Sequence, residues 1–550
     1  MPKADELFRE LREHSIAEFF RKNSQMLGYS GKIRSLTTVV HELVTNSLDA
    51  CEEAHVLPAI TVQISQMDDG SIMVRSKDNG PGIPKKHISN VFGKMLAGTK
   101  FHRNIQLRGQ QGIGVAGVTM FSQMTTGKPI EVITVTKKEA HDIELNIDIR
   151  HNRAHIVSHH QLEPVPPETG VEYIARFKEV QFSSGEQGPY EYLRRTALAN
   201  PHADITYIDP SGAKIHFPRT TEHLPKPPHE VKPHPKGVIV DDIVLMAKAS
   251  KNRTVKGMLQ TEFSRMSAAK AAEVQQYVDF SLGKSPKSLT WGDAEQMVKA
   301  FKKMSFLAPA MDCLRPIGEA NIERAIESIL APEFLSVVER RPTVYGGGYA
   351  FQVEVGLAHG GHAGRRLSGG EQRYEIMRFA NRAPLLFDAG GCAITKAVQG
   401  VEWKRYGLRD IETSPTTIFV NIVSTHIPYT SAGKQSVSDI EEIVQEIRFA
   451  LMEVGRKFNR FHSHRRRLQE HSARRDKLLR YVTEIVPPLA EIINRDKKEL
   501  EDKWKKLVEN HVGETLEDEE PEEVVREEAA RDESNEEAVE EKSGTLSDYM

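Results

Sequence analysis

Glu42, Asn46 and Asp49, in the segment His41-Glu42-Leu43-Val44-Thr45-Asn46-Ser47-Leu48-Asp49-Ala50, are spaced i, i+4 and i+7. On a helix that spacing sets a carboxylate, an amide and a second carboxylate within an arc of about 60°. Val44, Leu48 and Cys51 point elsewhere and can pack inward. Such a stripe suits a metal–phosphate site, and it equally suits a wet helix face. About thirty residues on, after strand-like SIMVRSKD, comes Asp78-Asn79-Gly80-Pro81-Gly82-Ile83-Pro84. An acid at a strand end followed by Gly80 and Gly82 lets backbone approach a flat ligand, with the carboxylate accepting from an exocyclic amine. Then Arg108-Gly109-Gln110-Gln111-Gly112-Ile113-Gly114-Val115-Ala116-Gly117 leads into helical VTMFSQM. Glycines ahead of a helix leave amide N–H groups free to bind phosphate. Singly each motif is an ordinary turn; in this order and spacing they point to a nucleotide site.

The elements that must position these residues occupy a chain of 550 residues, too long for one ordinary domain. Residues 1–228 alternate helical and strand patterns and end in proline-rich FPRTTEHLPKPPHEVKPHPKG. Residues 229–308 read almost wholly helical, through DDIVLMAKAS, AAKAAEVQQYVDF and WGDAEQMVKAFKKM. Residues 309–512 return to strands in FQVEVGLA and TTIFVNIVST. A charged helix then starts near Ser436 and runs to about Tyr481, with another helical stretch beyond Pro487-Pro488. Residues 513–550 are expected to be a disordered acidic tail. From Glu514 to Met550 there are 16 acidic and 3 basic residues, so a net charge of −3 hides a body near +10. A basic body with an acidic tail suits a polyanion partner or plain solvation. Three cysteines, Cys51, Cys313 and Cys392, lack the paired spacing of a zinc site or a secreted disulfide scaffold. With no 18-residue apolar run and a charged start, MPKADELFRELREHS, we expect a cytoplasmic, non-membrane protein.

ExxxNxxD, then DxGxG, then a glycine-rich lid resembles the GHKL ATPases, among them gyrase B, Hsp90, MutL and the histidine kinases. TNSLDACEEA, DNGPGIP, RGQQGIG, NPHA (Asn200 to Ala203) and LRPIGE (Leu314 to Glu319) resemble more specifically the B subunits of DNA topoisomerase VI, from about Ser15 to about Arg480. The resemblance implies an α/β (α+β) fold: a GHKL (Bergerat) ATPase sandwich, a helical H2TH insert, and an S5-like βα transducer ending in a long stalk helix. It implies ATP and Mg²⁺ as cofactors. Glu42 would be the general base, Asn46 the Mg²⁺ ligand and Asp78 the reader of the adenine amine, with Gly80 and Gly82 beside it. Thr99 and Lys100, and the lid Gly109, Gln110, Gln111, Gly112, Ile113, Gly114, Val115 and Ala116, would close over the phosphates. Many GHKL proteins carry a Gly-Thr pair on a later strand; here that stretch reads Thr169-Gly170-Val171-Glu172, and it is given no role.

Lys434, in Tyr429-Thr430-Ser431-Ala432-Gly433-Lys434-Gln435-Ser436, follows an apolar strand and precedes a helix, where a lysine is ordinarily solvent-exposed. The resemblance implies instead that it reaches the γ-phosphate from the transducer. LSGGEQ (Leu367 to Gln372) mimics an ABC signature, but with no Walker A in the chain it reads as an insertion between strand and helix. His151, His155, His159 and His160 lie in polar, turn-like sequence and read as surface. Candidate DNA contacts are Lys251 and Arg253, with Lys248 and Lys256, in the helical insert, and Trp403, Lys404 and Arg405 in a WKxY-like loop. Arginines from Arg465 to Arg475 lie on the stalk. The implied partners are double-stranded DNA, a second copy of this chain joined on ATP binding through the GHKL domains with the first fifteen or so residues strapping across it, and A subunits in an A₂B₂ heterotetramer. DNA breakage falls to the A subunit. A MutL-like ATP-driven clamp is the alternative, disfavoured by the H2TH-like insert, and a non-enzymatic scaffold is disfavoured by the complete residue set.

Overall fold

The computed structural model describes residues 18–19, 22–96, 105–109, 112–366, 370–431 and 433–517. It divides into two compact units, Met1–Phe458 and Asn459–Met550. No helix among the described residues is long and apolar enough to cross a membrane.

The first layer is helix α1 (Lys32–Glu53), whose buried Leu36, Val39, Val40, Leu43, Val44 and Leu48 recur at helical spacing. They pack on one face of an eight-stranded sheet. Its strands are β1 (Ala59–Gln66), β2 (Ile72–Lys77), β3 (Ile130–Val135), β4 (Ala140–Asp148), β5 (Arg153–Gln161), β6 (Gly170–Phe177), β7 (Asp204–Ile208) and β8 (Lys214–Phe217). The order is β5-β4-β3-β6-β2-β1-β7-β8, antiparallel except where β1 meets β7. Period-two burial marks one covered face: Ile60, Val62 and Ile64 of β1 are buried while their neighbours are half-buried. Helices α2 (Lys85–Gly93), α3 (Gly114–Thr126) and α4 (Pro189–Ala199) complete this layer around Tyr173, Phe177 and Tyr192.

Residues 238–304 build their own core from four short helices, α5 (Val240–Ala249), α6 (Val255–Glu262), α7 (Ala268–Glu273) and α8 (Trp291–Lys303). Side-chain caps stop and start them: the Thr254 and Ser267 hydroxyls accept from Gly257 N and Lys270 N, and Thr290 and Asp293 form a capping box. The segment AAKAAEVQQYVDF is less helical than its composition predicts. Gln275 takes the Leu282 amide on Oε1 and donates to the Phe280 carbonyl, offering the backbone a turn in place of a helix.

A six-stranded sheet follows α9 (Glu319–Leu330). Its strands are β9 (Phe334–Glu339), β10 (Thr343–Tyr345), β11 (Tyr349–His359), β14 (Glu375–Ala380), β15 (Ala383–Pro384) and β16 (Thr416–Ser424), in the order β10-β11-β16-β14-β15 with β9 on β11. Between β11 and β14, the short strands β12 (Arg365–Arg366) and β13 (Gln372–Arg373) pair antiparallel. LSGGEQ thus lies between two strands, not between strand and helix, and Leu367 to Gly369 fall outside the described residues. Strand β16 is buried along its whole length, because α10 (Ala393–Gln399) and the start of α11 (Glu441–Ile493) cover one face of the sheet and α9 covers the other.

Within the second unit, α11 runs straight through Pro487 and Pro488, where a break was expected. Two lost N–H donors cost two hydrogen bonds, and Val482 and Val486 pack with Val508 and Leu500 across this stretch. The break comes instead at Asn494, which adopts the left-handed conformation (φ 51°) that asparagine tolerates at a helix end. Helix α12 (Lys497–Glu517) then extends four residues past Gly513, into the expected tail; a Glu-Lys i, i+4 pair at Glu499 and Lys503 supports its first turns. The rest of the acidic tail and the expected N-terminal strap lie outside the described residues.

One buried acid in the second sheet has a testable consequence. Glu354 of β11 is fully buried, accepting from Gly318 N (2.7 Å) and Asn421 Nδ2 (2.6 Å). Burial outweighs those donors and pushes its pKa up to about 7. The folded protein therefore holds this proton more tightly than the unfolded chain, so stability falls as pH rises from about 4.5 to about 7, by roughly 3 kcal/mol. Glu354→Gln should flatten that fall, read as melting temperature across the same pH range.

Candidate functional site

Helix α1 delivers Glu42 and Asn46 to the rim of the first sheet. Asn46 Nδ2 donates to the Glu42 carbonyl at 2.6 Å, which turns the amide oxygen outward towards Gly109. The start of α3 presses on Glu42: a Cβ at Gly114 would stand 2.0 Å from Glu42 Oε2, so any larger residue there would push the carboxylate aside. That approach sets a helix N-terminus, favourable to negative charge, beside the carboxylate. Behind Glu42, His41 is buried with its Nδ1 unpartnered, and burial lowers its pKa.

Asp78 stands at the end of β2. Its Oδ1 accepts from Gly80 N (2.9 Å) and Val171 N (3.2 Å), and its Oδ2 from the Ser47 hydroxyl (2.8 Å). Burial raises its pKa and these donors partly offset the rise. Gly82 (φ +73°) turns the chain so tightly that a Cβ would meet the Val135 carbonyl at 2.1 Å. Thr134 clamps the same loop, donating to Ile83 O and accepting from Ile83 N. The Ser47 hydroxyl was not foreseen, although its place one residue past Asn46 on α1 could have suggested it. The Thr169-Gly170-Val171 stretch contributes a backbone amide, from Val171.

Thr99, Lys100, Gln110 and Gln111 lie outside the described residues. Of the expected lid, Gly109 N reaches Asp49 Oδ2 at 3.4 Å. Gly112 (φ 57°) turns into α3, and Val115 is half-buried in its first turn. Ile113 and Ala116 have side chains buried in the first core, which anchors α3 to it and leaves only their backbone for the site.

The largest omission from the sequence reading is Arg108. Its guanidinium is buried and donates to Asp49 (2.8 Å), Glu52 (2.6 Å) and Asn200 (2.5 Å). Asp49 is therefore a partner of Arg108, and it is not free to join Glu42 and Asn46 at a phosphate. Glu52 also accepts from His202 (2.9 Å) and from Arg382 (2.7 Å), which comes from the turn after β14. Burial would raise Glu52, but Arg108, Arg382 and His202 hold it well below the usual carboxylate range. Lys434, in the turn between β16 and α11, donates from Nζ to the Arg108 carbonyl at 3.0 Å. It also lies near enough to His41 to help lower that residue's pKa. Both sheets thus meet on one arginine.

The candidate DNA residues separate by burial. Lys248, Lys251, Arg253 and Lys256 are exposed, as are Lys404 and Arg405. Trp403 is not available to a duplex: it is 5% exposed and its indole N–H donates to the Val398 carbonyl, so it anchors the loop in the core. Of the four histidines read as surface, His151, His155 and His160 are exposed; His159 is half-buried against His141.

Removing Arg108 should strand Asp49 and Glu52 in the interior. We predict that Arg108→Ala costs about 3–5 kcal/mol, measured by chemical denaturation, whereas Lys251→Ala on the surface costs little. Glu52, whose folded pKa is depressed, contributes stability above its unfolded value and loses it as pH falls. Acid destabilisation below pH ~4.5 should be shallower in Glu52→Gln than in the wild type.

Two family models match the chain. One, described as Histidine kinase-, DNA gyrase B-, and HSP90-like ATPase, covers residues 31–158, and the other, Topoisomerase VI B subunit, transducer, covers residues 309–474. The B subunit of type 2 DNA topoisomerase 6 from Pyrococcus horikoshii is 46% identical, with 93% of this chain and 97% of that protein aligned. Its counterpart in Methanothermobacter thermautotrophicus is 48% identical over 90% of this chain and 94% of its own length. In Pyrococcus abyssi the identity is 44%, over 96% and 100%. With its glycine-framed carboxylate site and a transducer lysine beside it, the chain belongs to the B subunits of type 2 DNA topoisomerase 6, the topoisomerase VI family.

Proposed function

We propose that this chain is the ATP-hydrolysing subunit of a topoisomerase VI, driving passage of one DNA duplex through another. The observation that carries this reading is Lys434: a cation from the second sheet donates to the Arg108 carbonyl, at the mouth of a site whose acid and amide come from α1. Glu42 would take a proton from the attacking water. As the water oxygen bonds to the γ-phosphorus, the bond to the β–γ bridging oxygen breaks and ADP leaves with that electron pair. The outward Asn46 oxygen suits Mg²⁺, a hard cation that takes oxygen ligands and, when bound, neutralises phosphate charge. Asp78, held by three donors, still has a lone pair on Oδ2 for the adenine amine. Thr99, Lys100 and the segment from Gly109 to Ala116, Gln110 and Gln111 included, would close over the phosphates.

Lys434 would exchange the Arg108 carbonyl for a γ-phosphate oxygen, so that the second sheet responds to nucleotide state. Under this reading residues 1–228 are the ATPase domain, 229–308 the DNA-facing insert and 309–512 the transducer with its stalk and docking helices. ATP brings two copies of this chain together, and the stalks act on A subunits that cut DNA in an A₂B₂ assembly. Lys251, Arg253, Lys404 and Arg405 are exposed cations suited to DNA backbone rather than bases.

Glu42→Ala should lower ATP turnover by about 10²-fold or more while nucleotide still binds; unchanged turnover would remove Glu42 as the base. In plasmid relaxation with the co-purifying partner, wild type should change linking number in steps of two only with ATP. Hydrolysis without topology change, with an active partner present, would favour an ATP-driven clamp.

A further inference from the structure

Away from the nucleotide site, a cavity of about 870 Å³ opens between the start of α1, the 181–187 segment and the outer face of β14 and α10. Its size is that of a small-molecule pocket. Among the described residues, several buried polar atoms of the side chains that line it have no hydrogen-bond partner: Arg378 Nη1, Thr395 Oγ1, Arg34 Nε and Arg365 Nε. Arg378 is the least matched. It is 3% exposed, its Nη2 donates to the Phe387 carbonyl at 2.8 Å, and no carboxylate pairs with it among the described residues. Arg34 is pinned in a bidentate pair with Asp388 and lies 4.8 Å over the Phe387 ring, and Arg365 pairs with Glu186.

The backbone adds to this. Helix α1, 22 residues long, begins at the cavity with glycine as its cap residue, no side-chain cap and no acid in its first turn. Its first amides therefore lack both a capping oxygen and a compensating charge. A buried guanidinium without a counter-ion, an unpartnered hydroxyl and an uncapped helix start around one space share a single chemical complement, a multiply charged oxyanion.

We propose that this cavity binds a phosphate-bearing small molecule, with Arg378, Thr395 and the amides that start α1 as its ligands. The walls belong to different layers: α1 leads on to Glu42 and Asn46, while Ala393 N donates to Val437 O three residues beyond Lys434. An occupant would tie the ATPase layer to the lysine loop at a place other than the nucleotide site.

The test uses the full-length protein saturated with a non-hydrolysable ATP analogue, so that the nucleotide site is filled, titrated calorimetrically with inorganic pyrophosphate. The proposal expects one pyrophosphate per chain, with affinity lowered about tenfold or more by Arg378→Met and measurably by Thr395→Val. Thr395→Val alone decides if Arg378→Met does not fold. Absence of binding to wild type, or equal binding by wild type and the folded variants, overturns it.

Discussion

Arg108 is the residue on which both sheets depend. Its side chain is spent inside, neutralising Asp49 and Glu52 of α1 and reaching Asn200 at the end of α4. Its carbonyl is spent outward, on Lys434. Removing one partner from a buried ion pair is costly, and Arg382 and His202 complete the balance on Glu52. Because Arg382 follows β14, this ionic knot joins the second sheet to α1, as the Arg34–Asp388 pair does at the start of that helix.

That arrangement divides the labour along α1. Its polar positions divide: Glu42 and Asn46 face the rim, while Asp49 and Glu52, a turn or two later, are consumed by packing. Glycines do the complementary work. Gly114 lets α3 approach the Glu42 carboxylate, and Gly82 lets the Asp78 loop fold over Val135. A fixed charge network behind Lys434 is what the proposed nucleotide sensing needs, because the layers then stay joined while the lysine changes partner.

Much of this was legible in the sequence because it rests on local patterns. The strip Glu42–Asn46, the turn at Gly80 and Gly82 and the glycines before α3 are short-range signals, and the structure brings these segments to one rim. Lys434 was legible through family resemblance, not through its turn. What stayed hidden depends on contacts far apart in sequence. Nothing local marks Arg108 as buried, since arginine is usually a surface residue; the partners Asn200, His202 and Arg382 are brought to it only by folding. Asp49 was grouped with Glu42 by helical spacing, and spacing cannot tell which acids on one face are already paired. Trp403 shows the same limit, as its cationic neighbours suggest a nucleic-acid loop while the indole belongs to the core. Pro487-Pro488 misled in the other direction: the local rule calls for a break, and packing around Val486 carries the helix through.

The most direct measurement is a crystal structure of the full-length protein with a non-hydrolysable ATP analogue and Mg²⁺. Lys434 Nζ is expected to leave the Arg108 carbonyl for a γ-phosphate oxygen while the Arg108 guanidinium remains on Asp49 and Glu52. A nucleotide-bound structure with Lys434 still on the Arg108 carbonyl, or with Arg108 withdrawn from those acids, would contradict it.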